Sequence, residues 1–400
     1  MIKHSLNALL IGRDHSLAWA LPQLLTRAGF CVDSINSSPI MEKCKFLRSC
    51  HVISPHQLFR STILNKMKEQ NYDWIIVTDD GTLKEIVESD LSLTDKLKLL
   101  PVQKEENFIH LHSKIGLSKV FASKGINTPL FSIAHNVTEA LAEADQVGYP
   151  LLVKIDSSAG GAGVFEVNNP SELQSLNSKI FDQPVLIQQM ISGAEWDLSA
   201  LYFKGNLIHF NCAKIEKRCS KFGISSVRTY YPLSRVDEQI FHELAHIGKA
   251  LGIHGFTNIS CIQSQARRFY FEVDVRPNVW VEFPRFFRED PAIRIREWFS
   301  HKKTLSYPVP SLPNQPQKIL LPYFLRLKRS ELLFNRYGVW KYIPKDDLQL
   351  IFTLVRVFMF SGIKGRIISI IKWIVPKKYH THLRTIKYIL LNKNKSPVLK

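Results

Sequence analysis

The stretch that most restricts how this chain can fold is residues 268–277, Arg-Phe-Tyr-Phe-Glu-Val-Asp-Val-Arg-Pro. Its apolar residues are mostly aromatic or β-branched, so it predicts a β-strand that runs into a turn at the proline. Side chains alternate between the two faces of a strand, which puts Glu272, Asp274 and Arg276 on one face. Such a row can hold Mg²⁺ and an oxyanion, or it can form a solvent-facing ladder of salt bridges. This stretch alone leaves both interpretations open.

Strands and helices alternate through the first hundred residues. Residues 6–12 predict a buried strand, and a helix is expected over roughly 16–28 with Gly29 as its C-cap. Further strands are expected at Phe30 and at Trp74. This alternation predicts a parallel, doubly wound sheet of the Rossmann-like type. The loop after Gly12 has no GxGxxG pattern, so we predict no dinucleotide site.

Two acidic residues, Asp79 and Asp80, follow the strand at Trp74. Loops at the carboxyl ends of such strands are where ligands bind, so both carboxylates could face a substrate. The pair also suits a turn and an N-cap before a helix that is expected from about Leu83. We favour the turn and cap for this pair.

A loop of small residues at 157–163, Ser-Ser-Ala-Gly-Gly-Ala-Gly, follows a strand that ends near Lys154. Its backbone N–H groups can fold over phosphate oxygens, because glycine has no Cβ to block the approach. A strand rather than a helix follows it, so it is not a Walker-type loop. The alternative interpretation is a mobile hairpin without a ligand.

Three other segments complete the middle of the chain. Residues 101–112 are polar and indicate a boundary before a helix that opens at Lys114. Residues 184–191 predict a strand whose backbone and apolar side chains suit a flat adenine. Residues 234–251 predict an amphipathic helix in which Ser234 and Asp237 resemble a capping box. Its apolar face would be formed by Ile240, Leu244, Ile247 and Leu251.

The order of these pieces across residues 110–300 resembles the ATP-grasp superfamily of ATP-dependent ligases. The resemblance rests on Lys114 at a helix start, Tyr-Pro-Leu-Leu-Val-Lys154, the loop 157–163, the segment 187–191 with Glu195, and Phe271-Glu-Val-Asp-Val-Arg-Pro277. The last piece is similar to the family's Glu-x-Asn-x-Arg-Pro signature, with Asp274 in place of Asn. Ser260 stands where the family has its other metal ligand, in the preceding strand. The chain would then hold one metal ion well and a second poorly, or recruit a carboxylate from elsewhere.

The resemblance implies ATP and Mg²⁺ (or Mn²⁺) as cofactors and gives each site residue a role. Glu272 and Asp274 would bind the metal ion, Arg276 would stabilise the transferring phosphoryl group, and Lys214 would approach the γ-phosphate. The other expected nucleotide contacts divide into phosphate-binding Lys114, Lys154, Ser157, Gly160, Gly161 and Gly163, adenine-lining Gln188, Gln189, Met190 and Ile191, and Glu195 near the ribose.

We therefore expect an α/β and α+β chain in three parts. A Rossmann-like domain over 1–108 would precede an ATP-grasp fold over 109–304, with the nucleotide between 109–190 and 191–304. Residues 305–400 would form a Pro-rich linker and a basic, mainly helical C-terminal region. The implied activity is a ligase that activates a carboxylate as an acyl phosphate and joins it to an amine, a thiol or another nucleophile. The alternatives are a non-catalytic ATP-binding sensor or scaffold, and a carboxylase-like enzyme that uses bicarbonate.

The chain of 400 residues carries a net charge of +18, and part of this charge is local. Residues 361–400 contain ten Lys and Arg and no Asp or Glu. Apolar helices with such basic residues could lie on an anionic membrane at the inner face, form a small domain packed on the ligase, or contact a second copy as a homodimer. No nucleic-acid module is recognisable, so that partner is not expected. We see no signal peptide, spanning segment or CxxC pair, which predicts a cytoplasmic protein with reduced thiols and small-molecule substrates.

Overall fold

A computed structural model describes residues 6–13, 18–53, 59–158, 160–278, 280–302, 304, 317–320, 346–350, 352–353 and 356. The chain divides into two compact units, residues 1–343 and 344–400. The predicted Pro-rich linker and basic helical region lie almost wholly outside the described residues, and the three-part division of the chain stays a prediction. No helix in the described part of the chain is both long and apolar enough to cross a bilayer.

The N-terminal part is the expected parallel sheet with helices, in the strand order β3-β2-β1-β4. Gly29 ends the first helix with φ at +101°, as predicted for a C-cap. That helix begins later than expected, because residues 18–20 form a turn and Pro22 lies in its first turn. The strands are β1 Leu6–Gly12, β2 Phe30–Asn36, β3 Ser49–Val52 and β4 Trp74–Val77; the helices are α1 Leu21–Ala28, α2 Phe59–Glu69, α3 Asp80–Glu88 and α4 Leu93–Leu99.

Helix α3 begins at Asp80, three residues before the position expected from the sequence. Asp79 is its N-cap, and the side chain accepts a hydrogen bond of 2.8 Å from the Thr82 amide. The favoured interpretation of a turn and cap is therefore right for Asp79. It is wrong for Asp80, whose side chain takes part in the cavity described below.

A second sheet is antiparallel, in the order β5-β8-β6-β7, and two helices cover it. Asn136 caps the helix predicted to follow it, and alanines of that helix pack on the buried strand residues Val153 and Ile187. The glycine-rich loop connects β6 to β7. The elements of this part are α5 Lys114–Ser123, β5 Phe131–Ala134, α6 Val137–Val147, β6 Leu151–Ile155, β7 Val164–Val167, α7 Pro170–Gln174 and β8 Val185–Gln189.

The third sheet has six strands in the order β13-β12-β9-β10-β11-β14, all antiparallel. Its long helix α8 begins after Asp237, whose side chain accepts from the Gln239 amide at 3.0 Å. The prediction of Ser234 as part of the cap is wrong, because residues 233–235 form a separate 3-10 turn. The elements are β9 Ala194–Phe203, β10 Asn206–Arg218, β11 Ser225–Tyr231, α8 Glu238–Ala250, β12 Gly255–Ser264, β13 Arg267–Asp274, α9 Pro291–His301 and β14 Gln317–Leu320.

One hydrophobic core joins the N-terminal sheet to the six-stranded sheet. It includes Ile11 and Val77 from the first sheet together with Leu198 and Ile259 from the other. The predicted apolar face of α8 is part of the same core, where Leu244 is fully buried. This shared core fixes the loop after β4 beside the end of β13.

Candidate functional site

Strand β13 carries Glu272 and Asp274 into a cavity of about 540 Å³, and Arg276 just after the strand reaches the same cavity. The period of two therefore places the three charged side chains together, as the sequence predicts. Other walls come from the N-terminal part, from the start of α5, from the glycine-rich loop and from the loop between β10 and β11. The six-stranded sheet and segments that adjoin the other two sheets thus contribute to one site.

Arg276 is held from two sides by carboxylates. Its Nε donates a hydrogen bond of 2.6 Å to Asp80 Oδ1, and its Nη2 lies 3.2 Å from Asp274 Oδ2. These neighbours raise the pKa of Arg276 against the effect of burial, so the guanidinium stays charged. Burial raises the pKa of Asp274 to about 7, Arg276 opposes that rise, and Glu272 and Asp80 add to it. A divalent cation at this carboxylate pair would favour the ionised form of Asp274.

Lys114 is tied to the start of the glycine-rich loop. Its Nζ donates to the carbonyl of Asp156 at 3.1 Å and also to the carbonyl of Ser158. Asp156 in turn accepts from the hydroxyl of Ser113, the N-cap of α5, at 2.9 Å. Burial lowers the pKa of Lys114, while Glu272 and Asp156 oppose that shift. The lysine thus connects the helix, the loop and the carboxylates of β13.

The glycine-rich loop packs against the loop between β10 and β11. Gly161 has φ at +78°, and a Cβ there would lie 2.1 Å from the carbonyl oxygen of Phe222. Only glycine fits both the backbone conformation and this close contact. Lys221 of the second loop also forms an ion pair with Glu166 on β7, the strand that follows the glycine-rich loop. The two loops therefore cover the cavity together.

Lys154 lies behind the cavity rather than in its wall. Its Nζ donates a hydrogen bond of 2.6 Å to Gln188 Oε1 and stands 5.0 Å from the centre of the Phe271 ring. Burial lowers the pKa of Lys154 to about 8, and Glu272 opposes the shift. The Nε2 of Gln188 is buried and has no hydrogen-bond partner among the described residues. This amide could donate to a bound group at the end of β8.

The cavity brings together some of the predicted site residues and leaves others outside its lining. Glu195 lies outside and pairs with Arg218, whose Nε is 2.9 Å from Glu195 Oε2 and which does line the cavity. The roles of the residues outside the lining stay predictions. The lining includes Lys114, Gly160, Gly161, Glu272, Asp274 and Arg276; the residues outside it are Lys154, Ser157, Gly163, Gln188, Gln189, Met190, Ile191, Glu195 and Lys214.

Sequence reasoning missed a polar group on the same cavity. Asp197 on β9 forms an ion pair with Arg228 on β11, and the Arg228 guanidinium lies 4.4 Å from the Trp280 ring centre. Ser260 on β12 donates to Asp197 Oδ1 at 2.7 Å. These residues come from separate strands, so no spacing rule links them. Of this group only Ser260 was singled out from the sequence, although Asp197 lies two residues after Glu195 in the same strand.

The residues present fit a nucleotide with a divalent cation. The volume of the cavity lies in the range of ~300–1,000 Å³ that is typical of small-molecule sites. The glycine-rich loop has backbone N–H groups to offer phosphate, and Glu272 with Asp274 offers the oxygen ligands that Mg²⁺ prefers. The described residues contain no group of three or more His, Cys, Asp or Glu side chains spaced to hold a metal ion. Phosphate and water oxygens would therefore complete the coordination of an ion on these two carboxylates.

The solved structures that share this fold include three that illustrate its range. N5-carboxyaminoimidazole synthetase from Staphylococcus aureus, complexed with ADP, has 16% identity and a TM-score of 0.62 over 82% of this chain and 86% of that chain. The biotin carboxylase domain of 2-oxoglutarate carboxylase from Hydrogenobacter thermophilus, with MgADP, ADP and bicarbonate, has 17% identity and a TM-score of 0.57 over 75% and 70%. L-amino acid ligase from Bacillus licheniformis has 18% identity and a TM-score of 0.52 over 68% and 67%.

The fold is that of these ligase and carboxylase structures, with a Rossmann-like N-terminal part. Residues 111–278 match the family model of the ATP-grasp domain, so this part of the chain is an ATP-grasp domain. ATP and Mg²⁺, the predicted cofactors, are typical of the ATP-grasp family, and two of the structures above hold ADP, one of them with Mg²⁺.

Proposed function

We propose that this chain is an ATP-dependent ligase that activates a carboxylate as an acyl phosphate and joins it to an amine or another nucleophile. The observation that carries the proposal is the convergence of Glu272, Asp274, Arg276, Lys114 and the glycine-rich loop on one cavity. A non-catalytic sensor could bind a nucleotide with fewer charges. The full set of acidic and basic groups suits a reaction between two anions.

The chemistry follows from charge. ATP supplies the phosphoryl group that converts a carboxylate into an acyl phosphate, and Mg²⁺ on Glu272 and Asp274 would offset the negative charge of the phosphates. In the first step a carboxylate oxygen bonds to the γ-phosphorus and the bond to the bridging oxygen of ADP breaks. In the second step the nucleophile bonds to the acyl carbon, the bond to phosphate breaks, and an amine loses a proton.

Residues of this chain position and shield those steps. Arg276, oriented by Asp80 and Asp274, is the cation that would stabilise the transferring phosphoryl group and then the oxyanion at the acyl carbon. The glycine-rich loop and the Phe222 loop would keep water from the acyl phosphate, which would otherwise hydrolyse. Lys114 would move its hydrogen bonds from the loop carbonyls to phosphate.

A bicarbonate-using reaction is the second candidate, because one structure of the same fold was solved with bicarbonate beside MgADP. Bicarbonate is itself a carboxylate that can be phosphorylated, so the same cavity would serve it. The two candidates differ only in the acid.

Release of ADP and phosphate against a panel of carboxylates and amines tests the proposal, with bicarbonate as one of the acids. We expect one acid, together with one nucleophile, to stimulate release, and Glu272→Ala to abolish that stimulation. Stimulation by bicarbonate without another acid would favour the second candidate. Nucleotide binding without stimulated release by any pair would contradict the ligase proposal and favour a sensor.

A further inference from the structure

A row of polar residues crosses three adjacent strands at the cavity. In the register of the sheet, Ser260 on β12 stands opposite Glu272 on β13 and opposite Asp197 on β9. A carboxylate at position 260 would lie next to Glu272 and could share a cation with it. The chain has a serine there instead, and the nearest carboxylate in the row, Asp197, is one strand further away.

Asp197 is already committed to other partners. Its Oδ1 accepts from the Ser260 hydroxyl at 2.7 Å, and its Oδ2 pairs with Nη2 of Arg228. The side chains of Asp197 and Arg228 are each only 5% exposed. Breaking a buried ion pair leaves an uncompensated charge and is strongly unfavourable. Asp197 is therefore a poor candidate for binding a metal ion.

Arg228 is fixed from three sides and still reaches the cavity. Besides its pair with Asp197, its Nε donates to the Ser225 hydroxyl at 2.8 Å. Its guanidinium lies over the Trp280 ring at 4.4 Å. Arg228, Ser225 and Trp280 all line the cavity. The wall of the cavity therefore carries a guanidinium that its neighbours hold in a fixed position.

We propose that this chain works with one divalent cation, on Glu272 and Asp274, and that the Arg228 guanidinium takes the place of a second divalent cation. Asp197 is a positioning residue, because it holds Arg228 and each of its oxygens already has a close partner. This inference rests on the proposed function, since it assigns Arg228 to a phosphoryl or carboxylate anion. A neighbouring guanidinium also repels a second divalent cation, and Ser260 offers it only a weak ligand.

Counting Mn²⁺ by electron paramagnetic resonance, in the full chain saturated with a non-hydrolysable ATP analogue, tests the metal count. We expect one bound Mn²⁺ per bound nucleotide in the native chain and in Asp197→Asn. Two Mn²⁺ in the native chain, falling to one in Asp197→Asn, would show that Asp197 is a metal ligand and would overturn the proposal. The double variant Ser260→Glu/Arg228→Met gains a carboxylate beside Glu272 and loses the guanidinium. We therefore expect it to bind two Mn²⁺ per bound nucleotide.

Inorganic phosphate is the probe for the anion-binding role of Arg228, measured by its dissociation constant with Mg·ADP bound. We expect Arg228→Met to weaken phosphate about tenfold or more, as for the loss of a hydrogen bond to a charged group. Arg228→Lys should restore part of the affinity. The double variant Asp197→Asn/Arg228→Met removes both buried charges. It replaces Arg228→Met in this measurement if the single variant does not fold.

Unchanged phosphate affinity in a folded Arg228→Met or double variant would overturn the role of Arg228. The results for this inference and for the proposed function can be told apart. One Mn²⁺ and an Arg228-dependent phosphate site, without acid-stimulated turnover, would keep this inference and defeat the ligase. Acid-stimulated turnover together with two bound Mn²⁺ would keep the ligase proposal and overturn this inference.

Discussion

At the scale of single residues, the site consists of charges that hold one another in place. Lys154 shows the consequence most clearly. It is 5% exposed and bonded to Gln188, and burial lowers its pKa to about 8. Burial therefore makes the amine easier to deprotonate than an ordinary lysine, and a nearby phosphate would oppose that shift. The charge of this lysine is therefore expected to depend on what the site binds.

We expect ATP binding at about pH 8.5 to take up a proton through Lys154. Above its pKa of about 8 the free lysine is mostly neutral, and the phosphates of a bound nucleotide raise that pKa, so the amine gains a proton. Calorimetric titration in buffers of different ionisation enthalpy measures the uptake. Lys154→Arg should remove it, because arginine is charged before and after binding, whereas Lys179→Arg on the exposed surface should not. Equal uptake in both variants would contradict the assignment.

Asp80 orients Arg276 across the boundary with the N-terminal part, so Asp80→Asn should loosen the guanidinium. We expect the rate of acid-stimulated phosphate release to fall about tenfold, the size of a lost hydrogen bond to a charged group. ATP affinity should change little, because the metal carboxylates are intact. Asp145→Asn, an exposed change on α6, is the control. A fall in ATP affinity with an unchanged rate would contradict the positioning role.

At the scale of elements, the two loops over the cavity depend on one contact. Gly160 and Gly161 both have positive φ, at +63° and +78°. Only Gly161 packs against the Phe222 backbone, while the space at Gly160 is open. The two glycines therefore form a matched pair, in which the backbone cost of an alanine is similar and the steric cost differs.

We expect Gly161→Ala to weaken ATP binding about tenfold more than Gly160→Ala does. A clash worth ~1.4 kcal/mol beyond the shared backbone strain corresponds to a factor of ten in affinity. Titration of a non-hydrolysable ATP analogue measures both variants. Equal effects of the two substitutions would show that the loop-to-loop contact does not support the nucleotide site.

The sequence was sufficient for elements whose signal is local. The parallel N-terminal sheet, the Gly29 cap, the α8 core face and the strand carrying Glu272 all follow from periodicity and capping. The ion pair of Asp197 with Arg228 could not be predicted from the sequence, because it depends on how β9, β10 and β11 pair. Asp80 was misjudged for a related reason: its partner Arg276 is 196 positions away. The prediction that Ser234 caps helix α8 was wrong, because Asp237 is the N-cap of this helix.

At the scale of the whole molecule, one core ties the N-terminal sheet to the six-stranded sheet, so stability and site geometry are coupled. Leu244→Ala in this core should lower the free energy of unfolding by ~2–5 kcal/mol, because Leu244 is fully buried. Leu93→Ala is the control, since Leu93 is 44% exposed and should cost much less. Denaturant unfolding measures both. Equal losses would show that this core does not carry the stability.

The basic C-terminal region stays a prediction from sequence. Residues 361–400 carry ten basic and no acidic residues, which favours binding to anionic liposomes that weakens with salt. Co-sedimentation at low and high salt measures this, with uncharged liposomes as the control. A chain that remains in the supernatant at low salt would contradict membrane contact.

The central claim is that Glu272 and Asp274 hold a divalent cation against a nucleotide in the shared cavity. Isothermal titration of a non-hydrolysable ATP analogue, with and without Mg²⁺, in the native chain and in Glu272→Gln, tests this claim most directly. We expect Mg²⁺ to strengthen binding in the native chain, and most of that gain to disappear in Glu272→Gln while the metal-free affinity persists. An equal gain from Mg²⁺ in both proteins, or no binding at all, would contradict the account.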